Sequence, residues 1–82
     1  MTEKVKLVRE YIFENFLFGA DDSSLDNNDS FLDKGVIDST GILEVVNWIE
    51  ETFEISVDDH ELVPDNFDSI NKLAGFLERK TT

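Results

Sequence analysis

Gly35-Val36-Ile37-Asp38-Ser39-Thr40-Gly41-Ile42-Leu43-Glu44-Val45-Val46-Asn47-Trp48-Ile49-Glu50-Glu51-Thr52-Phe53 is the stretch that decides the fold. At about 100° per residue, Ile42, Val46, Ile49 and Phe53 fall within one narrow arc, with Val45 and Leu43 on either side. That is the period of a helix with one buried face. A serine just ahead of such a run is a helix-start residue, because its oxygen can accept one of the N–H groups that the first turn leaves unpaired. The spacing predicts a helix from about Thr40 to Phe53, with Ser39 at or next to its N-cap.

Upstream, Val5, Val8, Ile12 and Phe16 recur at three- and four-residue spacing, and Leu7, Tyr11 and Phe18 widen the stripe. Residues 3 to 18 read as a helix, with Thr2 as N-cap and Gly19 as the stop. Residues 20 to 37 are rich in Asp, Ser and Asn and read as a long loop that Leu25, Phe31, Leu32 and Ile37 pin to the core. Such a length is unusual without packing or function of its own. Downstream, Ile55 to Asp59 is a connector, Pro64 to Phe67 a short helical turn, and Ser69 to Arg79 a last helix. That helix carries Ile70, Leu73, Phe76 and Leu77, with Arg79 and Lys80 placed for its dipole. The expected fold is all-α: a small four-helix bundle with a long first loop and a short third helix, residues 1–82 forming one domain.

The 82 residues are 40% apolar and 32% charged, enough apolar surface to fold rather than stay disordered. With no cysteine, neither a disulfide framework nor a thiolate metal site is available. Met1-Thr2-Glu3-Lys4 opens an amphipathic run rather than a signal peptide. No apolar stretch approaches the roughly 20 residues that span a bilayer. The chain is therefore expected in the cytoplasm. Nineteen acidic residues against seven basic ones give a net charge of −12, and from Gly35 to Asn71 ten Asp or Glu residues occur with no Lys or Arg. Nucleic acid and anionic membrane are repelled by such a surface. Basic protein partners are steered towards it.

Gly35-Val36-Ile37-Asp38-Ser39-Thr40 resembles the attachment motif of acyl carrier proteins, in which Asp-Ser, usually followed by Leu, opens the second helix. The resemblance runs on through Leu43-Glu44-Val45-Val46, Ile49 to Ile55, and Glu61-Leu62-Val63-Pro64-Asp65-Asn66-Phe67-Asp68-Ser69-Ile70. Asp-Ser alone carries nothing, since Asp29-Ser30 and Asp68-Ser69 repeat it. The resemblance implies a non-catalytic, monomeric carrier that holds acyl intermediates of fatty-acid, lipid or specialised biosynthesis as thioesters on 4'-phosphopantetheine. A phosphopantetheinyl transferase would move that arm from coenzyme A to the Ser39 oxygen, and Asp38 would help hold the transferase's metal ion. The second helix would dock acyl-processing enzymes with basic patches through Thr40, Leu43, Glu44, Asn47, Trp48, Glu50, Glu51 and Glu54. Trp48 serves equally as a partner contact or as packing. By the same resemblance a fatty chain would be sheltered by Val46, Ile49, Phe31, Ile70 and Leu73, unless Phe31, Phe53, Phe67 and Phe76 fill the centre. The chain departs from the family at Thr40, where Leu is usual, at Gly41, where a polar helix former is usual, and at Asn47, often Met.

Other readings use the same residues. A peptidyl or aminoacyl carrier shares fold and arm. An unmodified acidic interaction domain would use Ser39 only as a cap. A Ser39–His60–Asp triad needs a geometry that nothing in the sequence supports. Asp26-Asn27-Asn28-Asp29-Ser30 lacks the Gly and Glu of a calcium-binding loop, having Phe31 and Ile37 there.

Overall fold

A computed structural model describes residues 2–18, 21 and 24–81. Among the described residues five helices follow one another: α1 (Thr2–Asn15), α2 (Phe31–Lys34), α3 (Ser39–Phe53), α4 (Pro64–Phe67) and α5 (Ile70–Thr81). A 3-10 turn, Asp59–Glu61, precedes α4. The architecture is the expected all-α bundle, with α2 as an extra turn inside the long first loop.

Each end has a local cause. α1 includes Thr2 as its first residue rather than its cap, and it stops at Asn15, three residues short of the sequence reading. There the Asn15 amide donates to the Tyr11 carbonyl at 2.9 Å, the local side-chain bonding by which Asn competes with helix continuation. Phe18 is left 80% exposed; Gly19 lies outside the described residues. α2 is capped by the Ser30 hydroxyl, which accepts the Asp33 N–H at 3.1 Å. It ends at Gly35, whose φ of 68° lets Val36 N–H reach the Phe31 carbonyl at 2.9 Å. Ser69 caps α5 by accepting the Lys72 N–H at 3.0 Å. α5 is held to its neighbours by Lys80 on Glu61 (3.0 Å), Arg79 on Asn66 (2.9 Å) and Lys4 on Glu78 (3.0 Å). The Asp58 N–H and the Lys80 ammonium hold the Glu61 carboxyl below the usual carboxylate range; the Lys4 partner does the same for Glu78.

The core combines Val8 and Ile12 of α1, Phe31 of α2, Val45, Val46 and Ile49 of α3, and Ile70, Leu73, Phe76 and Leu77 of α5. Leu25, Ile37 and Phe67 close it. Burial of each such side chain stabilises by about 1.5–3 kcal/mol. Leu25, Phe31 and Ile37 do pin the loop, whereas Leu32 points outward and is 46% exposed. The loop is also tied by polar bonds, Asn71 N–H to the Asn27 carbonyl (2.9 Å) and the Arg9 guanidinium to the Asn27 side chain (2.9 Å).

α3 ends at Glu54 with φ 55° and ψ 48°, a left-handed position held by a residue with a Cβ. No glycine in the sequence signals this stop. Glu54→Gly removes the strain, which outweighs glycine's added freedom in the unfolded chain, and stabilises by about 0.5–1 kcal/mol. At 4–8 °C per kcal/mol for a domain this small, thermal unfolding moves up by about 2–8 °C. An unchanged or lower midpoint shows that the Glu54 side chain contributes more than its backbone costs.

Candidate functional site

Asp38, not Ser39, is the N-cap of α3. Its carboxylate accepts the Gly41 N–H at 2.7 Å, and its carbonyl accepts the Ile42 N–H at 3.1 Å. Ser39 is thus the first helical residue, exposed, with its hydroxyl free of the cap. The backbone N–H groups of Ser39 and Thr40 sit where a helix offers no acceptor. The site is a protruding hydroxyl beside open N–H groups, an arrangement that suits a phosphoryl group joined to the serine oxygen. Asp38 commits one oxygen to the cap and leaves the other outside it.

Beside Ser39 runs a groove of about 280 Å³. Leu32 of α2, Ile42 and Leu43 of α3, Leu62 and Val63 of the connector, and Pro64 and Phe67 of α4 form its apolar walls. Ser39 and Asp68 are its polar members. Leu43 is 57% exposed, and Leu32, Leu62 and Val63 are exposed as well, so the groove is open.

The residues expected to shelter a fatty chain are packed within the core. Phe31, Ile49, Ile70 and Leu73 have no exposed surface, Val46 is buried with them, and none of the five lines the groove. Aromatic volume is the reason: Phe31, Phe67 and Phe76 occupy the centre, the last two with ring centroids 5.1 Å apart. The space adjoining Ser39 is built instead from Leu62-Val63-Pro64 and Leu32. The sequence signal for it was faint: three consecutive apolar residues in a stretch with no helical period.

Of the residues expected to meet partners, Thr40, Leu43, Glu44, Asn47, Glu51 and Glu54 are all exposed. Their spacing puts them on one outward face of α3 that starts beside Ser39. Two others sit on its flanks. Glu50, half-buried, accepts the Val57 N–H at 2.9 Å with one carboxylate oxygen and so fastens the connector to α3. Trp48 is half-buried and stacked on Tyr11, with centroids 4.1 Å apart and planes 11° apart, and its edge meets Phe53 at 5.8 Å. Its packing reading is the one these contacts satisfy. Burial and the nearby Glu44 charge push the Tyr11 phenol up. His60 is exposed in the 3-10 turn. The Asp29 carboxylate accepts the Asp26 N–H at 2.8 Å and faces Lys34 at 3.6 Å.

Three comparisons with known proteins bear on this geometry. A family model described as "Phosphopantetheine attachment site" matches residues 17–77. The solution structure of the holo acyl carrier protein of Nitrosomonas europaea superposes with a TM-score of 0.74 at 27% identity, covering 94% of each chain. A chain in a crystal structure titled as an FAD-dependent dehydrogenase gives the same TM-score and identity, over 85% of this chain and 97% of that one. No curated protein sequence matches the chain.

Proposed function

The chain belongs to the phosphopantetheine attachment site family, and from that premise we propose that it is an acyl carrier whose arm is joined to Ser39. Membership makes it a phosphopantetheine carrier with a covalent 4'-phosphopantetheine group, in a family of carrier domains rather than catalysts. One observation carries the choice of serine and of cargo. The Ser39 hydroxyl is exposed at the first turn of α3, released from capping by Asp38, on the lip of an apolar groove.

Each residue then has a task. Ser39 supplies the oxygen that a phosphopantetheinyl transferase joins to the phosphate of the arm, as the phosphoanhydride bond of coenzyme A breaks, the nucleotide part leaves on its own phosphate and the serine gives up its proton. The open N–H groups of Ser39 and Thr40 face that phosphate's charge. Asp38 holds the turn in place with one oxygen and offers the other to the transferase's metal ion, as carboxylates do for magnesium. When bound, the arm supplies a thiol that carries the cargo as a thioester. The groove receives that cargo. It is nearly twice the ~150 Å³ cavity that admits one benzene, which gives room for roughly ten carbons.

Apolar walls favour an acyl group over an aminoacyl one, because an ammonium would lose its hydration among Leu32, Leu43, Leu62 and Val63 without a free partner. The one carboxylate there, Asp68, already binds the Ser30 hydroxyl and the Leu32 N–H. The outward α3 face, with Glu44, Glu51 and Glu54, meets basic patches on the transferase and on acyl-processing enzymes of fatty-acid, lipid or specialised biosynthesis. Among the described residues no helix is long and apolar enough to cross a membrane. The reading places the protein in the cytoplasm, with the coenzyme A-dependent transferase.

The mass of the thioester-bound group on protein taken from its own cell tests the cargo. An acyl group of about ten carbons or fewer fits the groove's volume. An amino acid there replaces the acyl reading with an aminoacyl carrier, and a chain far longer than the groove means the cargo lies elsewhere.

A further inference from the structure

α2 is four residues long. A single turn cannot hold itself together in water, since its nucleation cost is not repaid by propagation. Something else must fix it, and two things do. One is Phe31, fully buried in the core. The other is residue 68. The Phe31 N–H donates to the Asp68 carbonyl at 3.0 Å, the Leu32 N–H to one Asp68 carboxylate oxygen at 3.0 Å, and the Ser30 hydroxyl to the other at 2.5 Å. Ser30 is itself the cap of α2, so Asp68 grips both the cap and the first turn.

Asp68 is in turn well seated. Its N–H donates to the Pro64 carbonyl at 2.9 Å, closing α4, and the next residue, Ser69, is buried and caps α5. Asp68 also lines the groove, between Leu32 on one wall and Pro64 and Phe67 on the other. Leu32 has little else to hold it, being 46% exposed while its neighbour Phe31 points into the core.

Resting on the reading of the groove as the cargo site, we infer that Asp68 is a positioning residue that sets the length of acyl chain this carrier accepts. It clasps the two walls together and keeps the Leu32 side chain in the groove. Without the clasp, α2 keeps its Phe31 anchor but turns about it, and Leu32 leaves the wall. Since a ~150 Å³ cavity takes six carbons, clearing the four-carbon Leu32 side chain makes room for roughly four more.

The test uses holo-protein loaded with thioesters of increasing chain length and reads the thermal midpoint of each. In the wild type the midpoint climbs with length and then levels off. In Asp68→Ala the unloaded midpoint falls, and the levelling-off moves to chains about four carbons longer. Asp68→Asn keeps an oxygen for the Leu32 N–H and gains an N–H for the Ser30 oxygen, so it restores the wild-type limit. Ser30→Ala, which removes the bond to Asp68 and the cap on the Asp33 N–H but leaves the Leu32 N–H on Asp68, moves the limit in the same direction by less, and serves if Asp68→Ala does not fold. A lower unloaded midpoint with an unchanged limit overturns the inference and leaves the groove reading intact, Asp68 then being a structural residue only. A wild-type midpoint indifferent to chain length overturns the groove reading and the inference together.

Discussion

Coexpression with a broad-specificity phosphopantetheinyl transferase adds one phosphopantetheine to the wild-type chain and none to Ser39→Ala, as read by intact mass. The effect is all or none because one oxygen atom is removed from the one position where chemistry is expected. The structure makes the control clean. Had Ser39 been the N-cap, its loss would have cost about 1 kcal/mol and confused loading with folding. The cap bond belongs to Asp38, and alanine is at least as good a helix former as serine at an exposed first-turn position. The variant therefore unfolds at the wild-type temperature or slightly above it. The other Asp-Ser pairs are built differently. Ser30 spends its hydroxyl on Asp68 and the Asp33 N–H, and Ser69 is buried with its oxygen on the Lys72 N–H. A phosphopantetheine on Ser39→Ala, or mapped to Ser30 or Ser69, refutes the assignment.

What the sequence disclosed follows from what periodicity measures. α3 and α5 are long enough for a buried arc to repeat, so their existence and inner faces were legible from Ile42, Val46 and Ile49 and from Ile70, Leu73, Phe76 and Leu77. α2 has no period to detect in four residues. Its signs were punctuation, Ser30 three residues before Asp33 and Gly35 after Lys34, inside a run that otherwise reads as loop. Which of two adjacent short polar residues caps α3 was not legible, since Asp and Ser serve about equally at that position. Glu50 and Glu51 look alike on paper. Only the return of the connector, which brings the Val57 N–H to Glu50, separates the structural carboxylate from the exposed one. Residues 30 and 68 meet across the fold, so no local pattern announces the clasp beside the groove.

Gly41→Ala destabilises the protein, against what helix propensity alone predicts. In an exposed helix interior the change would stabilise by about 1 kcal/mol, and Gly41 reads in the sequence as a weak first turn. The structure gives it a different role. A Cβ at position 41 would lie 2.8 Å from Ile37 Cγ2, 3.2 Å from the Phe16 ring and 3.4 Å from the Asp38 carboxylate. Ile37 is buried, and its β-branched Cγ2 has few rotamers in which to withdraw. Phe16 is half-buried, packed edge-on against Tyr11 with centroids 6.0 Å apart. Overpacking of this kind costs about 1–3 kcal/mol, so after the propensity gain the net loss is up to about 2 kcal/mol. At 4–8 °C per kcal/mol, thermal unfolding falls by up to roughly 16 °C. The strain is applied to the turn that carries Asp38 and Ser39, so loading by the transferase slows at temperatures where the variant is still fully folded. Ile37→Leu removes the branching methyl, and Gly41→Ala combined with it recovers part of the loss, a coupling that independent sites would not show. If Gly41→Ala raises the midpoint instead, Phe16 and Ile37 yield at little cost, and the glycine is the weak helix residue it resembles in the sequence.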